Sequence, residues 1–172
     1  LVIAGSLSLG VRIAFNMKGR IRELREIERI LSFLEGELRV RHSTIDEALC
    51  CVADKSRQPF RDWLYGLVKD IRASGEQDNP LYYNSHTDLY NMWKKSLDNL
   101  RTVTYLSYKD VEQLQDVGKA LGYLDIESQQ MNLRRELELV HHHVISLDKD
   151  LGVRMKNAVV ACLLGGIMTV IA

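Results

Sequence analysis

The chain has 172 residues, of which 23 are basic and 23 acidic, so its formal net charge is zero. This length is enough for one domain with a core of its own, and the charge balance excludes a general attraction to nucleic acid. The chain has only two prolines and contains long stretches rich in Leu, Glu and Arg, and both features favour helix. We predict an all-α protein.

The first 15 residues form an apolar run, LVIAGSLSLGVRIAF, whose single charge is Arg12. A bilayer-spanning helix needs about 20 apolar residues. Because the chain does not begin with Met, we expect Leu1 to be a cut point within a longer apolar stretch, and we predict a transmembrane helix over residues 1–16. The alternative is a signal peptide, although no A-x-A cleavage site follows Phe15.

A long helix is predicted next, over residues 17–39, because its apolar residues recur at alternating spacings of three and four. This is the heptad pattern of a coiled-coil seam. The seam consists of Leu24, Ile27, Leu31, Leu34 and Leu38.

Four shorter helices follow. The first begins after a cap at Ser43 or Thr44, and the second runs from Pro59 to a stop at Gly75. The third starts at about Thr87, and the fourth runs from Ser107 to a stop at Gly122. Trp63 and Trp93 have aliphatic neighbours at helical spacing, which predicts that both lie in the core rather than in a ligand site.

A second long helix is predicted over residues 126–151, with a matching stripe of apolar residues: Leu133, Leu137, Val140, Val144, Leu147 and Leu151. We expect the two long helices to pair antiparallel. Together with the four short ones they would form a six-helix cytoplasmic domain over residues 17–152.

The chain ends in an uncharged run from Ala158 to Ala172, which predicts a transmembrane helix over residues 153–172. A buried core helix is the alternative. Basic residues lie near the end of the first run and after it, and others precede the second run. By the positive-inside rule the central region is then cytoplasmic. These residues are Arg12, Lys18, Arg20, Arg22, Arg25, Lys149, Arg154 and Lys156.

Small residues recur every fourth position in both apolar runs. Such faces allow close approach of helices in lipid, so we predict packing between the two runs or between subunits. The residues are Ser6, Gly10, Ala14, Ala158, Cys162 and Gly166.

No pattern in the chain predicts catalysis, a cofactor or a metal. His141, His142 and His143 are consecutive, so their side chains point about 100° apart on a helix and cannot converge on one ion; we expect them on a solvated face. Cys50 and Cys51 are adjacent, which disfavours a disulfide between them, and we expect one of the two to be buried as a small hydrophobic residue. We therefore predict a protein that is not an enzyme.

A helix corner is predicted around Gly118, Leu121, Gly122 and Asp125. Glycine within a helix costs about 1 kcal/mol relative to Ala, which suggests close packing at Gly118. Gly122 is expected to stop the helix in a left-handed conformation, and Asp125 to cap the helix that follows.

These residues resemble a known family, the stage III sporulation protein AB family of endospore-forming bacteria, which is similar to the inner-membrane platform protein of type II secretion systems. The most specific string is Gly118-x-x-Leu121-Gly122-x-x-Asp125-x-x-x-Gln129. It is preceded in order by Arg20-Ile-Arg-Glu-Leu24-Arg25, Leu34-Glu-Gly-Glu37, Glu47-Ala48-Leu49, Trp93 and Asp110 with Leu114. Thr44 and Asp46 stand where the family usually has prolines.

The resemblance implies a component of the channel between mother cell and forespore, lying in the mother-cell membrane that surrounds the forespore. It also implies docking of a secretion-type hexameric ATPase and contacts with other membrane components of the sporulation channel. Trp93, Gly118, Leu121, Gly122, Asp125 and Gln129 become the structural or docking candidates.

Two other classes of protein stay open. A membrane-anchored enzyme would need a convergent polar pocket. A scaffold or signalling module would instead self-associate as a homo-oligomer, with the seams of Leu24 to Leu38 and Leu133 to Leu151 lying between subunits.

Overall fold

A computed structural model describes the backbone of residues 2–41, 44–77, 85–122 and 126–171, and the side chains of 15–40, 44–74, 89–122, 127–153, 156 and 157. Across these residues the fold consists of six α-helices, which confirms the all-α prediction. They are α1 (Val2–Arg41), α2 (Ile45–Lys55), α3 (Phe60–Gln77), α4 (Ser85–Thr102), α5 (Tyr108–Leu121) and α6 (Ile126–Ile171).

The two long helices α1 and α6 pack against each other and run antiparallel. Arg25 on α1 pairs with Asp148 on α6, Glu28 with His141, and the carbonyl of Leu38 accepts from the side chain of Gln130. Residue numbers thus fall along α6 as they rise along α1, as predicted.

The predicted seams form the centre of the core. Leu24, Ile27, Leu31, Leu34 and Leu38 of α1 are all buried, and so are Leu133, Val140, Val144, Leu147 and Leu151 of α6, with Leu137 partly buried beside them. Because the seams are buried within one chain, they are not available to join subunits in the manner that the scaffold alternative requires.

The shorter helices pack as successive neighbours, α2 on α3, α3 on α4, α4 on α5 and α5 on α6, and α1 also contacts α2. The bundle therefore has two ends. The proximal end holds the α2–α3 and α4–α5 connections, next to residues 19–29 of α1; the distal end holds the junctions from α1 to α2 and from α5 to α6.

Both apolar runs belong to the long helices. Residues 2–15 are the first part of α1, and residues 158–171 are the last part of α6. In the described part of the chain, no helix reaches both the length and the apolarity required to traverse a bilayer. The transmembrane helices over 1–16 and 153–172 and the domain limits thus stay predictions, and the side chains of Ser6, Gly10, Ala14, Ala158, Cys162 and Gly166 lie outside the described residues.

Two local predictions were wrong. α3 continues through Gly75 to Gln77, since a glycine near the end of a helix is a modest cost that does not force a stop. Cys50 and Cys51 are both half-buried. Cys50 packs against the core, whereas the Sγ of Cys51 lies 3.3 Å from Oε1 of Glu37.

Candidate functional site

The predicted corner between α5 and α6 forms at the distal end and is held together by one buried side chain. Gln129, near the start of α6, donates from Nε2 to the carbonyl oxygen of Leu121 at 2.6 Å. That carbonyl belongs to the last residue of α5 and has no partner within its own helix. Gln129 is buried, so it satisfies the end of α5 where water has little access.

Gly122 ends α5 in a right-handed conformation, with φ −74° and ψ −10°, and its N–H donates to the carbonyls of Gly118 and Lys119. The prediction of a left-handed stop was therefore wrong, although the end of the helix was predicted correctly. The carbonyl of Leu121, one residue before Gly122, is left for the side chain of Gln129. Asp125, predicted to cap α6, lies outside the described residues.

Gly118 lets α4 approach α5 closely. A Cβ atom at this position would lie 2.6 Å from Cδ1 of Trp93 and 2.8 Å from Cγ. The indole of Trp93 is buried and donates from Nε1 to the carbonyl oxygen of Leu114 at 2.8 Å. The close packing predicted from the glycine is thus present, and its partner is the tryptophan of the same candidate set.

Trp63 on α3 extends this contact into a third helix. Its ring meets the ring of Trp93 edge to face, with centroids 5.3 Å apart. Trp93 lies in the core as predicted, whereas Trp63 is only partly buried. The structure therefore brings Trp93 and Gly118 together where α4 packs on α5. It brings Leu121, Gly122 and Gln129 together at the corner where α5 ends and α6 begins.

A polar cluster near the proximal end joins α1, α5 and α6. Asp110 is buried in the first turn of α5 and accepts from Arg20 through Nε at 2.6 Å and through a second guanidinium nitrogen at 2.7 Å. It also accepts from the backbone N–H and the hydroxyl of Ser107, and His143 Nε2 lies 2.9 Å from its other oxygen. Burial alone would raise the pKa of Asp110, but Arg20, Ser107 and His143 outweigh burial and lower it.

The three consecutive histidines differ in their exposure. His142 is exposed, and His141 is half-exposed and paired with Glu28 at 2.6 Å. His143 is partly buried against Asp110, so the prediction of a solvated face was wrong for this residue, because its carboxylate partner comes from α5 rather than from α6 itself. The described residues include no group of His, Cys, Asp and Glu side chains suited to a metal ion.

Glu23 makes a second buried polar contact between α1 and the α4–α5 connection. Its Oε2 accepts from the backbone N–H of Tyr105 at 2.6 Å. Burial raises the pKa of Glu23, against smaller lowering effects of this hydrogen bond and of Arg22. One turn earlier, a Cβ at Gly19 would lie 2.8 Å from the ring of Tyr105.

Sequence reasoning missed the partners of Asp110 and Glu23. The Ser107-x-x-Asp110 spacing is a capping-box signal and could have placed Asp110 in the first turn of α5. Arg20 and His143 lie 90 and 33 residues away from Asp110, and no local pattern connects them.

A groove of about 890 Å³ runs between α1 and α6, with Phe33 and Ile145 among its lining residues. Charges of both signs line it, including Arg25, Glu138 and Asp148. The charge of the groove therefore favours neither an acidic nor a basic partner.

Comparison with known proteins decides the family. The family model for stage III sporulation protein AB matches residues 1–172. The chain belongs to this family. It is accordingly a sporulation-associated protein.

A solved structure described as stage III sporulation protein AB has a similar fold, with a TM-score of 0.63 and 20% sequence identity. The match covers 78% of this chain and 97% of that chain. At this identity the likeness concerns the fold alone. A search of curated proteins gave no match.

Proposed function

We propose that this member of the stage III sporulation protein AB family is a non-enzymatic membrane platform of the channel between mother cell and forespore. In this proposal the terminal apolar runs anchor α1 and α6 in the mother-cell membrane around the forespore. The central region is cytoplasmic and docks a secretion-type hexameric ATPase, and it contacts other membrane components of the channel.

The observation that carries the proposal is the antiparallel pairing of α1 and α6. Since α1 begins and α6 ends in an apolar run, the pairing brings both runs to the proximal end. The corner of Leu121, Gly122 and Gln129, the string most specific to the family, then lies at the distal end. From Phe15 to Val40 along α1 the separation is about 38 Å at 1.5 Å per residue.

This separation supports a division of roles between the ends of the bundle. Anchoring at the proximal end would hold the distal end away from the bilayer, within reach of a cytoplasmic ATPase. Two large apolar side chains are exposed at the distal end, Val40 on α1 at 71% and Met131 on α6 at 68%. Methionine is enriched at the centres of protein interfaces, and Val40 is exposed at the same end of the bundle, so we place the ATPase contact there.

A binding experiment tests this assignment. The full chain in detergent micelles is immobilised and titrated with the secretion-type ATPase of the same spore-forming bacterium. Val40→Asp and Met131→Asp should each weaken binding about tenfold or more, because each would bury a carboxylate without a partner in the contact. Val103→Asp is the matched control, because Val103 is similarly exposed, at 66%, but lies at the proximal end.

Wild-type binding that is lost only in Val103→Asp would place the contact at the wrong end, and absence of wild-type binding would refute the docking proposal. Anchoring is tested separately by flotation of the full chain with liposomes after alkaline carbonate washing. A chain that stays at the bottom of the gradient would refute the membrane platform.

A further inference from the structure

The connection between α4 and α5 exposes three large apolar side chains within six residues. Val103 is 66% exposed, Tyr105 53% and Tyr108 68%. Single exposed apolar residues are common on protein surfaces, but a cluster of this kind marks an interaction site. We call residues 103–108 the aromatic tip.

The aromatic tip is held in a defined conformation. The hydroxyl of Thr104 donates to the carbonyl of Leu100 at 2.8 Å, the N–H of Tyr105 donates to Glu23, and Ser107 caps α5. The exposure of its side chains is therefore a property of the folded protein, since local hydrogen bonds fix the backbone that presents them.

The tip lies beside the place where the apolar runs meet the bundle. The ring of Tyr105 packs against Gly19, and Phe15, which is 71% exposed, precedes Gly19 by four residues on the same face of α1. Phe15 is the last residue of the first apolar run, about 6 Å along the axis from Gly19. Because α6 runs antiparallel to α1, the second run begins at this end as well.

Basic side chains surround the aromatic tip. Lys18 and Arg22 are exposed on α1, and Arg101 and Lys109 are exposed on either side of the tip. The guanidinium of Arg101 lies 5.8 Å from the centroid of the Tyr108 ring.

The carboxylates close to the tip do not balance this charge. Glu23 and Asp110 are buried and engaged by backbone N–H groups and Arg20. The nearest exposed carboxylates on α4 and α5, Asp98 and Glu112, each lie three residues further from the tip than Arg101 and Lys109. The aromatic tip and the ends of α4 and α5 that flank it are therefore basic and aromatic.

We propose that the aromatic tip and its basic surround rest on the headgroups of an anionic lipid bilayer. Tyrosine is favoured at the level of lipid headgroups, and basic residues close to an anionic leaflet each contribute about 1 kcal/mol of attraction. The inference rests on the proposed membrane anchoring and adds a second contact, which fixes how the bundle is rotated and tilted on the membrane.

Depth-dependent quenching tests the proposal. In a background with Cys50, Cys51 and Cys162 replaced by Ser, Val103→Cys carries an environment-sensitive fluorophore, and Val40→Cys carries the same label as control. Both valines are highly exposed, but they lie at opposite ends of α1 and its neighbours. The full chain is reconstituted in vesicles of phosphatidylglycerol and phosphatidylcholine that contain a lipid with a nitroxide on its headgroup.

The label at position 103 should be quenched several-fold more strongly than the label at position 40. Arg101→Glu combined with Lys109→Glu should abolish most of this difference, whereas Arg134→Glu combined with Arg135→Glu, at the distal end, should leave it unchanged. Vesicles of phosphatidylcholine alone should give weaker quenching at position 103, because they lack the anionic headgroups.

Two failures are distinguishable. If the labelled chain does not float with the vesicles, the anchoring in the proposed function is wrong. If it floats but positions 103 and 40 are quenched equally, the anchoring stands and the contact between the aromatic tip and lipid is refuted.

Discussion

The indole ring of Trp93 lies against the α-carbon of Gly118, so closely that a methyl group at Gly118 would overlap Cδ1 at 2.6 Å. The indole then reaches the carbonyl of Leu114 one turn earlier on α5. Glycine is therefore required here for space, because α4 and α5 approach each other through this contact.

Gly118→Ala is expected to destabilise the fold by about 1 to 3 kcal/mol, the usual cost of overpacking a tight interface. Gly66→Ala on α3 is the matched control, since a Cβ there meets nothing within 4 Å; it should stabilise by up to about 1 kcal/mol through helix propensity. Urea unfolding of the full chain in micelles, followed by tryptophan fluorescence, measures both. Equal effects of the two substitutions would contradict the packing role of Gly118.

Asp110→Asn should cost about 3 kcal/mol, because it leaves the guanidinium of Arg20 without a carboxylate in a site where that side chain is only 22% exposed. Asp116→Asn on the same helix removes an exposed pair with Lys119 and should cost about 1 kcal/mol or less. The same urea titration at neutral pH compares them.

The pH dependence gives a second test of Asp110. Since its pKa is lowered in the fold, its stabilising effect is complete above the ordinary value of 3.8 and is lost as the pH falls through the lowered value. The difference in stability between wild type and Asp110→Asn should therefore narrow in strong acid. A difference that widens there would contradict the ion pair.

The ionisation of Glu23 should change stability with pH in the opposite direction to that of Asp110. Its pKa is raised in the fold from 4.5, so the folded state holds the proton more tightly than the unfolded state, and stability falls as the pH rises through the interval above 4.5. Glu23→Gln keeps an oxygen for the N–H of Tyr105 but cannot ionise. Its stability relative to wild type should increase across that interval, with Glu112→Gln on the exposed face of α5 as control; a relative decrease would refute the desolvated carboxyl.

Gln129→Leu should cost about 1 to 3 kcal/mol, because it leaves the buried carbonyl of Leu121 without a donor. Gln130→Leu is the neighbouring control, since its contact with the carbonyl of Leu38 is long, at 3.4 Å. Thermal unfolding by circular dichroism should show a clearly larger loss for Gln129→Leu. If the two variants melt alike while only Gln129→Leu loses ATPase binding, the corner is a docking surface rather than a structural joint.

The helices and the main core could be predicted from the sequence because their signals are local. The spacing of Leu24 to Leu38 gave the buried face of α1 correctly, and Ser107 gave the start of α5. The burial of residues outside the seams could not be predicted, because it depends on tertiary contacts. Ile30 lies outside the seam yet is buried, in a helix that packs against α2 as well as α6.

In the candidate site too, local features could be predicted and tertiary partners could not. A glycine in a helix indicated close packing at Gly118, but the sequence did not indicate that Trp93 was the neighbour. Gly122 was assigned a left-handed conformation because that is the common helix stop. The helix instead ends in a right-handed conformation. The carbonyl of Leu121 is bound by Gln129, and the pairing of these two residues depends on the angle between two helices.

The two long helices contain no proline, the residue that most often kinks a helix, and each connects an apolar run to the distal end of the bundle. Two unkinked helices packed side by side along their length would move as one stiff body. With an arm of about 38 Å at 1.5 Å rise per residue, a sideways displacement of about 6 to 7 Å at the distal corner corresponds to a rotation of about 10° at the other end. Force applied by a partner at the corner would thus reach the apolar runs as a change of helix tilt, with the Arg20, Asp110 and His143 cluster joining three helices close to the pivot.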